Sequence, residues 1–256
     1  MDTESEVRLL RIIERAKRDL DVEISPTYCG AHAVPRGLTS TEATNKVINE
    51  QIPEIKQLIA SKELSVENID VFCEQGVFDI EQSRSILEAG KNIGLQINFH
   101  GDELHPTNSA EMGAALGATA ISHLEEISDA GITAMAASQC VAVILPTTAY
   151  IMHLKSPPVR KMIQAGVPVA LGTDFNPNAY CFAMPVVMNL ACVTMGMSMP
   201  EALIAATLNA AAALGRGHTH AYTYGISSGK TSAMMFIESV FAFEVGAAAN
   251  IWPTED

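Results

Sequence analysis

Six short apolar runs, each closed by a polar residue and followed by a helical stretch, constrain this chain more than any other feature. They cover residues 22–32, 69–73, 95–99, 118–122, 141–145 and 167–171. Helical spacing of apolar residues is expected over 2–21, over 40–60 with Thr39 or Ser40 as N-cap, and over 79–89, 109–116, 127–138 and 159–165. Strands without polar alternation are buried on both faces, so their alternation with helices predicts a parallel sheet under a helical layer. His32, Glu74, His100, His123, Thr147 and Asp174 stand at the C-terminal ends of these strands. A (β/α)₈ barrel builds its active site on that rim. A doubly wound sheet uses one switch point instead, and no G-x-G-x-x-G follows the first strand. The expected fold is therefore α/β, a (β/α)₈ TIM-like barrel that is incomplete, with about six of its eight strands.

Composition narrows the partners. Sixteen Lys and Arg against 29 Asp and Glu leave a formal charge of −13 with no basic cluster, so nucleic acid is not an expected partner. The stretch between Asp174 and Glu201 carries no charge, but it holds Pro177, Pro185, Pro200 and three asparagines. A buried helix is expected there, not a membrane span. Five scattered cysteines without a C-x-x-C pair predict free, mostly buried thiols in a reducing compartment. The acidic N-terminus lacks the positive charge of a targeting peptide. A cytosolic protein is expected.

The chemistry-bearing constellation is His32, His100, Glu103, His123 and Asp174, all at predicted strand ends. Imidazole and carboxylate are ligands for zinc or ferrous iron, and neighbouring acids and bases then move protons. A single strand-end histidine is more often a hydrogen-bonded structural residue. Three of them with an aspartate, each after a buried strand, favour a site. His105, His153 and the loop pair His218 and His220 are expected to be structural, and the methionines from Met184 to Met199 to pack in the core. No G-x-S-x-G supports a serine nucleophile.

Residues 30–35 (GAHAVP), 70–74 (DVFCE), 98–103 (NFHGDE), 122–124 (SHL) and 172–177 (GTDFNP) resemble, in order and spacing, the imidazolonepropionases of the metal-dependent amidohydrolase superfamily. The resemblance runs to about His220. It implies a distorted barrel with one divalent ion, zinc or iron. It also implies hydrolysis of 4-imidazolone-5-propanoate to N-formimidoyl-L-glutamate in histidine degradation. By motif, His100 and Asp174 are the implied metal ligands, and Glu103, His123 and Asp174 the implied catalytic residues. Substrate contacts are implied for His32, Glu103, Asn176 and Asn178. A small-molecule substrate and a homodimer follow from the same resemblance.

The family carries an H-x-H on its first barrel strand, and no such strand precedes the matched region. Residues 221–256 also depart from the pattern. The expected organisation is a partial barrel over 1–216 and a divergent, irregular segment over 217–256. Two readings stay open: an imidazolonepropionase of low activity, and a non-catalytic fragment or interaction protein of the same ancestry. A nucleobase deaminase of the superfamily is a third, which the Glu103 and Asn176 motifs oppose.

Overall fold

The computed structural model describes residues 2–216. Helix α1 (Thr3–Asp19) is N-capped by Asp2, whose carboxylate accepts from Ser5 N–H. It is followed by β1 (Thr27–Ala31), α2 (Ser40–Lys46), a π-helical turn (Val47–Gln51) and α3 (Ile52–Ala60). The chain then alternates through β2 (Asn68–Cys73), α4 (Ile80–Asn92), β3 (Gln96–Gly101), α5 (Ser109–Leu116), β4 (Ala120–His123), α6 (Asp129–Ser138) and β5 (Val141–Ile144). After α7 (Pro146–Ile151) and α8 (Val159–Ala165) comes β6 (Val169–Leu171), and then α9 (Met184–Met195), α10 (Met199–Ala206) and α11 (Leu208–Ala213).

All six strands are parallel and lie in chain order, β1 to β6. This is the arrangement of a (β/α) barrel with six of its eight strands. Strand alternation divides the side chains. Ile69, Val71, Ile97, Phe99, Ile121, Ala142, Ile144 and Leu171 face the helices in one continuous core. Ala120, Val141, Val143 and Ala170 pack on the other face against Ala210 and Ala213 of α11. The second face thus has an alanine helix filling its floor and polar residues at its rim.

Several expectations change in detail. The first strand begins at Thr27, later than the apolar run suggests. The helix expected over 40–60 keeps its Thr39 cap, closed by Glu42 as a capping box, but is broken by the π turn ahead of Pro53. Residues 146–151 form α7, a helix beyond those expected, and Pro146 at a first helical position suits its start. The buried helix expected after Asp174 is buried on one side only. Val187, Ala191 and Met195 of α9 pack inward, while Val193 is 74% exposed. The methionines divide likewise, Met195 and Met197 buried and Met199 exposed. The five cysteines are free, and burial pushes the Cys73 thiol up to about 11 and Cys140 up to about 12. His218, His220 and the segment 217–256 lie outside the described residues.

Candidate active site

Each strand delivers its polar residue to the rim by a local device. In β1 the pairing slips between Tyr28 and Ala31, where Cys29 and Gly30 oppose the single residue Asp70 of β2. This bulge re-aims the chain just before His32. Gly30 sits in it, where a Cβ would come within 2.3 Å of both the Tyr28 hydroxyl and Gln51 Oε1. In β3, Ile97 and Phe99 enter the helix-facing core, so Asn98 and His100 take the opposite face. His100 pairs in register with Phe72 on one side and Ser122 on the other. His123 ends β4 with φ 76°, and Leu124 follows with φ 70°. Asp102 (φ 48°) and Asp174 (φ 47°) are also left-handed. Such backbone costs about 1–3 kcal/mol per residue and here recurs after three different strands.

The loop after β3 is clamped from both sides. The buried Asp102 carboxylate accepts from Thr107 N–H (2.8 Å), Thr107 Oγ1 (3.0 Å) and Ala110 N–H (3.0 Å), at the first turn of α5. The buried Glu74 accepts from Leu104 N–H (3.0 Å) and His105 N–H (3.3 Å), with His105 Nδ1 at 2.9 Å. Glu103 lies between these two anchors. His105 is a structural partner of Glu74, as expected.

Asp70 joins the histidines. It is 1% exposed, and its carboxylate takes the His100 N–H (3.1 Å) and sits 3.0 Å from His100 Nδ1 and 2.9 Å from His32 Nε2. The His32 contact has ion-pair distance without hydrogen-bond direction. Burial pushes the Asp70 carboxyl up, but His100 and His32 outweigh it and hold it below the usual range. The His32 and His100 ring centroids are 4.7 Å apart, and those of His100 and His123 are 4.9 Å apart. His123 Nε2 is 3.5 Å from Glu103 Oε2. Burial, then the neighbouring His100, hold the His123 imidazole well below its ordinary pKa, which leaves it neutral.

His32, His100, His123 and Glu103 are therefore one contiguous cluster. The Asp174 carboxylate, beyond the end of β6, accepts a hydrogen bond from the Thr148 hydroxyl. Asn176 is turned to local use. Its Nδ2 donates to Asp174 O (2.9 Å), and its Oδ1 accepts from Asn178 N–H (2.8 Å) and Ala179 N–H (3.2 Å). Asn178 is exposed on that turn. Two members of the cluster are absent from the sequence-derived set: Asp70, and Glu125, whose Oε2 is 3.9 Å from His123 Nδ1. The signal for Asp70 is a carboxylate inside an apolar strand, since a fully buried aspartate is almost always paired.

The donor set suits a borderline divalent ion. His100 has its Nδ1 on a buried carboxylate, the outer-shell partner of a metal-ligating histidine, which leaves Nε2 to coordinate. Among the described residues, Cys29, His32 and Asp70 also place ligand atoms within 4.8 Å of one another. In that trio the Asp70 carboxylate is shared with His100. Metal-assisted hydrolysis draws on such ligands beside a proton-transfer group, and the cluster holds side chains of both kinds.

A profile of the amidohydrolase family matches residues 5–220. The chain is 61% identical over 239 residues to a probable imidazolonepropionase of Homo sapiens, covering 93% of this chain and 55% of that protein. The probable imidazolonepropionase of Mus musculus is 63% identical over 220 residues, 86% of this chain and 52% of that protein. The chain thus spans about half the length of these curated relatives. Among solved structures, a guanine deaminase from C. acetobutylicum with bound guanine superposes with a TM-score of 0.65 at 16% identity, covering 83% of this chain and 56% of that one. An adenosine deaminase from Xanthomonas campestris with bound zinc gives 0.57 at 15%, covering 76% and 48%. At such identities the likeness is one of fold.

Proposed function

The chain belongs to the amidohydrolase family, and on that premise we propose that it acts as an imidazolonepropionase. The reaction is hydrolysis of the cyclic amide of 4-imidazolone-5-propanoate to N-formimidoyl-L-glutamate. The observation that carries this reading is the 61% identity with the human probable imidazolonepropionase over 93% of the chain, a span that includes every rim residue of the cluster.

One zinc or ferrous ion is proposed, held by His100 and Asp174. When bound, such an ion supplies Lewis acidity and a water whose pKa falls toward ~7. Glu103 orients the attacking water and takes its proton at a carboxylate oxygen. His123 is neutral, and in the tautomer that carries its proton on Nε2 it donates a hydrogen bond to the ring carbonyl oxygen, where negative charge develops. The water oxygen bonds to the carbonyl carbon, Asp174 takes the second proton of that water and passes it to the ring nitrogen as the C–N bond breaks, and Glu103 releases the first proton to solvent with the carboxylate product. His32 and Asn178 contact the substrate, and Asn176 holds the turn that carries Asn178. The five free thiols fit a cytosolic location, and a homodimer is the proposed assembly.

The test is turnover by the purified chain, loaded with zinc or ferrous iron and followed by NMR for N-formimidoyl-L-glutamate. Product is expected with the wild type, and Glu103→Gln is expected to lower kcat by roughly 10²–10⁴-fold. Absence of product with both metals, from a folded chain, overturns the reading.

A further inference from the structure

Glu125 is a buried acid that the chemistry above leaves unused. It is 1% exposed, and neither of its carboxyl oxygens has a hydrogen-bond partner. Its Oε2 lies 3.9 Å from Nδ1 of His123, a nitrogen that is itself buried and without a partner. An unsatisfied buried polar group is destabilising, and here two such groups face one another. The consecutive left-handed residues His123 and Leu124 lead the chain from one group to the other.

The imidazole consequently stands between two carboxyl groups, Glu125 at Nδ1 and Glu103 at Nε2. A neutral imidazole donates through one nitrogen and accepts through the other. What Glu125 presents to Nδ1 therefore decides what Nε2 presents to the site. An ionised Glu125 would accept a proton from Nδ1 and leave Nε2 bare, unable to donate to a carbonyl oxygen.

We propose that Glu125 is a positioning residue: as a neutral carboxylic acid it donates its O–H to His123 Nδ1 and so fixes the tautomer whose Nε2–H serves the substrate. The surroundings favour the neutral acid. Nε2 faces the Glu103 carboxylate, an acceptor, at 3.5 Å, which favours the proton on Nε2 and leaves Nδ1 to accept from the acid that faces it; burial pushes the Glu125 carboxyl well above the usual range in the same sense. His100, Asp70 and His32 exert their fields on the imidazole from the other side. The proposal rests on the hydrolase reading for its consequence in catalysis, but the tautomer itself is observable without turnover.

The experiment is ¹⁵N NMR of histidine-labelled wild type, Glu125→Gln and Glu125→Leu, beside their steady-state kinetics. Wild-type His123 is expected to carry its proton on Nε2 at neutral pH. Glu125→Gln keeps that tautomer, because the amide N–H still donates to Nδ1, and retains most of kcat. Glu125→Leu loses the preference and drops kcat by roughly 10²-fold with little change in KM. A wild-type proton on Nδ1, or a Glu125→Leu variant with unchanged tautomer and kcat, overturns the proposal. Should Glu125→Leu fail to fold, the wild-type spectrum alone decides. Should the wild type turn over no imidazolone, the hydrolase reading falls while the tautomer still tests the role of Glu125.

Discussion

Asp70 shows how one side chain organises the rim. A carboxylate with 1% exposure is tolerated only because the His100 backbone, the His100 ring and the His32 ring surround it. Removing a partner from such a buried cluster leaves the others unsatisfied, so Asp70→Ala is expected to destabilise the chain by roughly 3–5 kcal/mol in urea unfolding. Asp70→Asn should cost less, since its carbonyl oxygen still accepts; equal loss in the two variants would contradict the role given to the acceptor. The two buried carboxyl groups also respond to pH in opposite senses. Asp70 is held below its ordinary value of 3.8, so its contribution is present above that pH and fades as pH falls through the lowered value. Glu125 is raised above 4.5, so its contribution is present below 4.5 and is lost as pH rises through the raised value. Glu125→Gln, which cannot ionise, should therefore gain in Tm over wild type as pH rises from ~5 to ~8. A gap that shrinks with rising pH would contradict the protonation state assigned to Glu125.

At the scale of elements, Asp102 ties the β3 loop to the start of α5 and so fixes the segment that carries Glu103. Asp102→Ala removes an acceptor from several donors at once, and a loss of about 2 kcal/mol is expected in urea unfolding, with activity falling further than stability explains. Unchanged unfolding would show that the loop is held elsewhere. The strands were legible because each is a short, mostly apolar run with a polar end, and their order in the sheet follows from alternation with helices. His32, His100, Glu103 and His123 were legible for the same reason, since strand ends converge in a barrel. The rest was hidden for physical reasons. Asp70 lies inside β2 and not at its end, and a lone carboxylate in a mostly apolar run does not tell which histidines surround it. Glu125 follows two left-handed residues whose geometry nothing in their types announces. Asn176 read as a ligand-facing amide, yet its hydrogen bonds are made within its own turn. Helix α7 starts at a proline, which reads equally well as a loop.

The whole described chain is drawn together at the floor of the sheet. Helix α11 packs its alanines under β4, β5 and β6, and Asn209 Nδ2 donates to Val169 O (2.7 Å). Beyond α11, Arg216 reaches back to Glu23 (2.8 Å) and Glu67 (2.6 Å), ahead of β1 and β2. This pair of bonds joins the last described residue to the first strands. Arg216→Ala is expected to lower stability by about 2 kcal/mol, the scale of a charge-assisted hydrogen bond, with the loss shrinking at high salt; a salt-independent loss would point to packing instead. A floor held this way leaves the opposite rim to gather its histidines and acids. The proposed chemistry requires a metal ion held at this rim through His100. Metal content of the purified, dialysed chain and of its His100→Ala variant decides whether the ion is there. About one zinc or iron per folded wild-type chain, lost in His100→Ala, is the predicted result. A folded wild type that retains no ion, or a variant that retains as much, would contradict it.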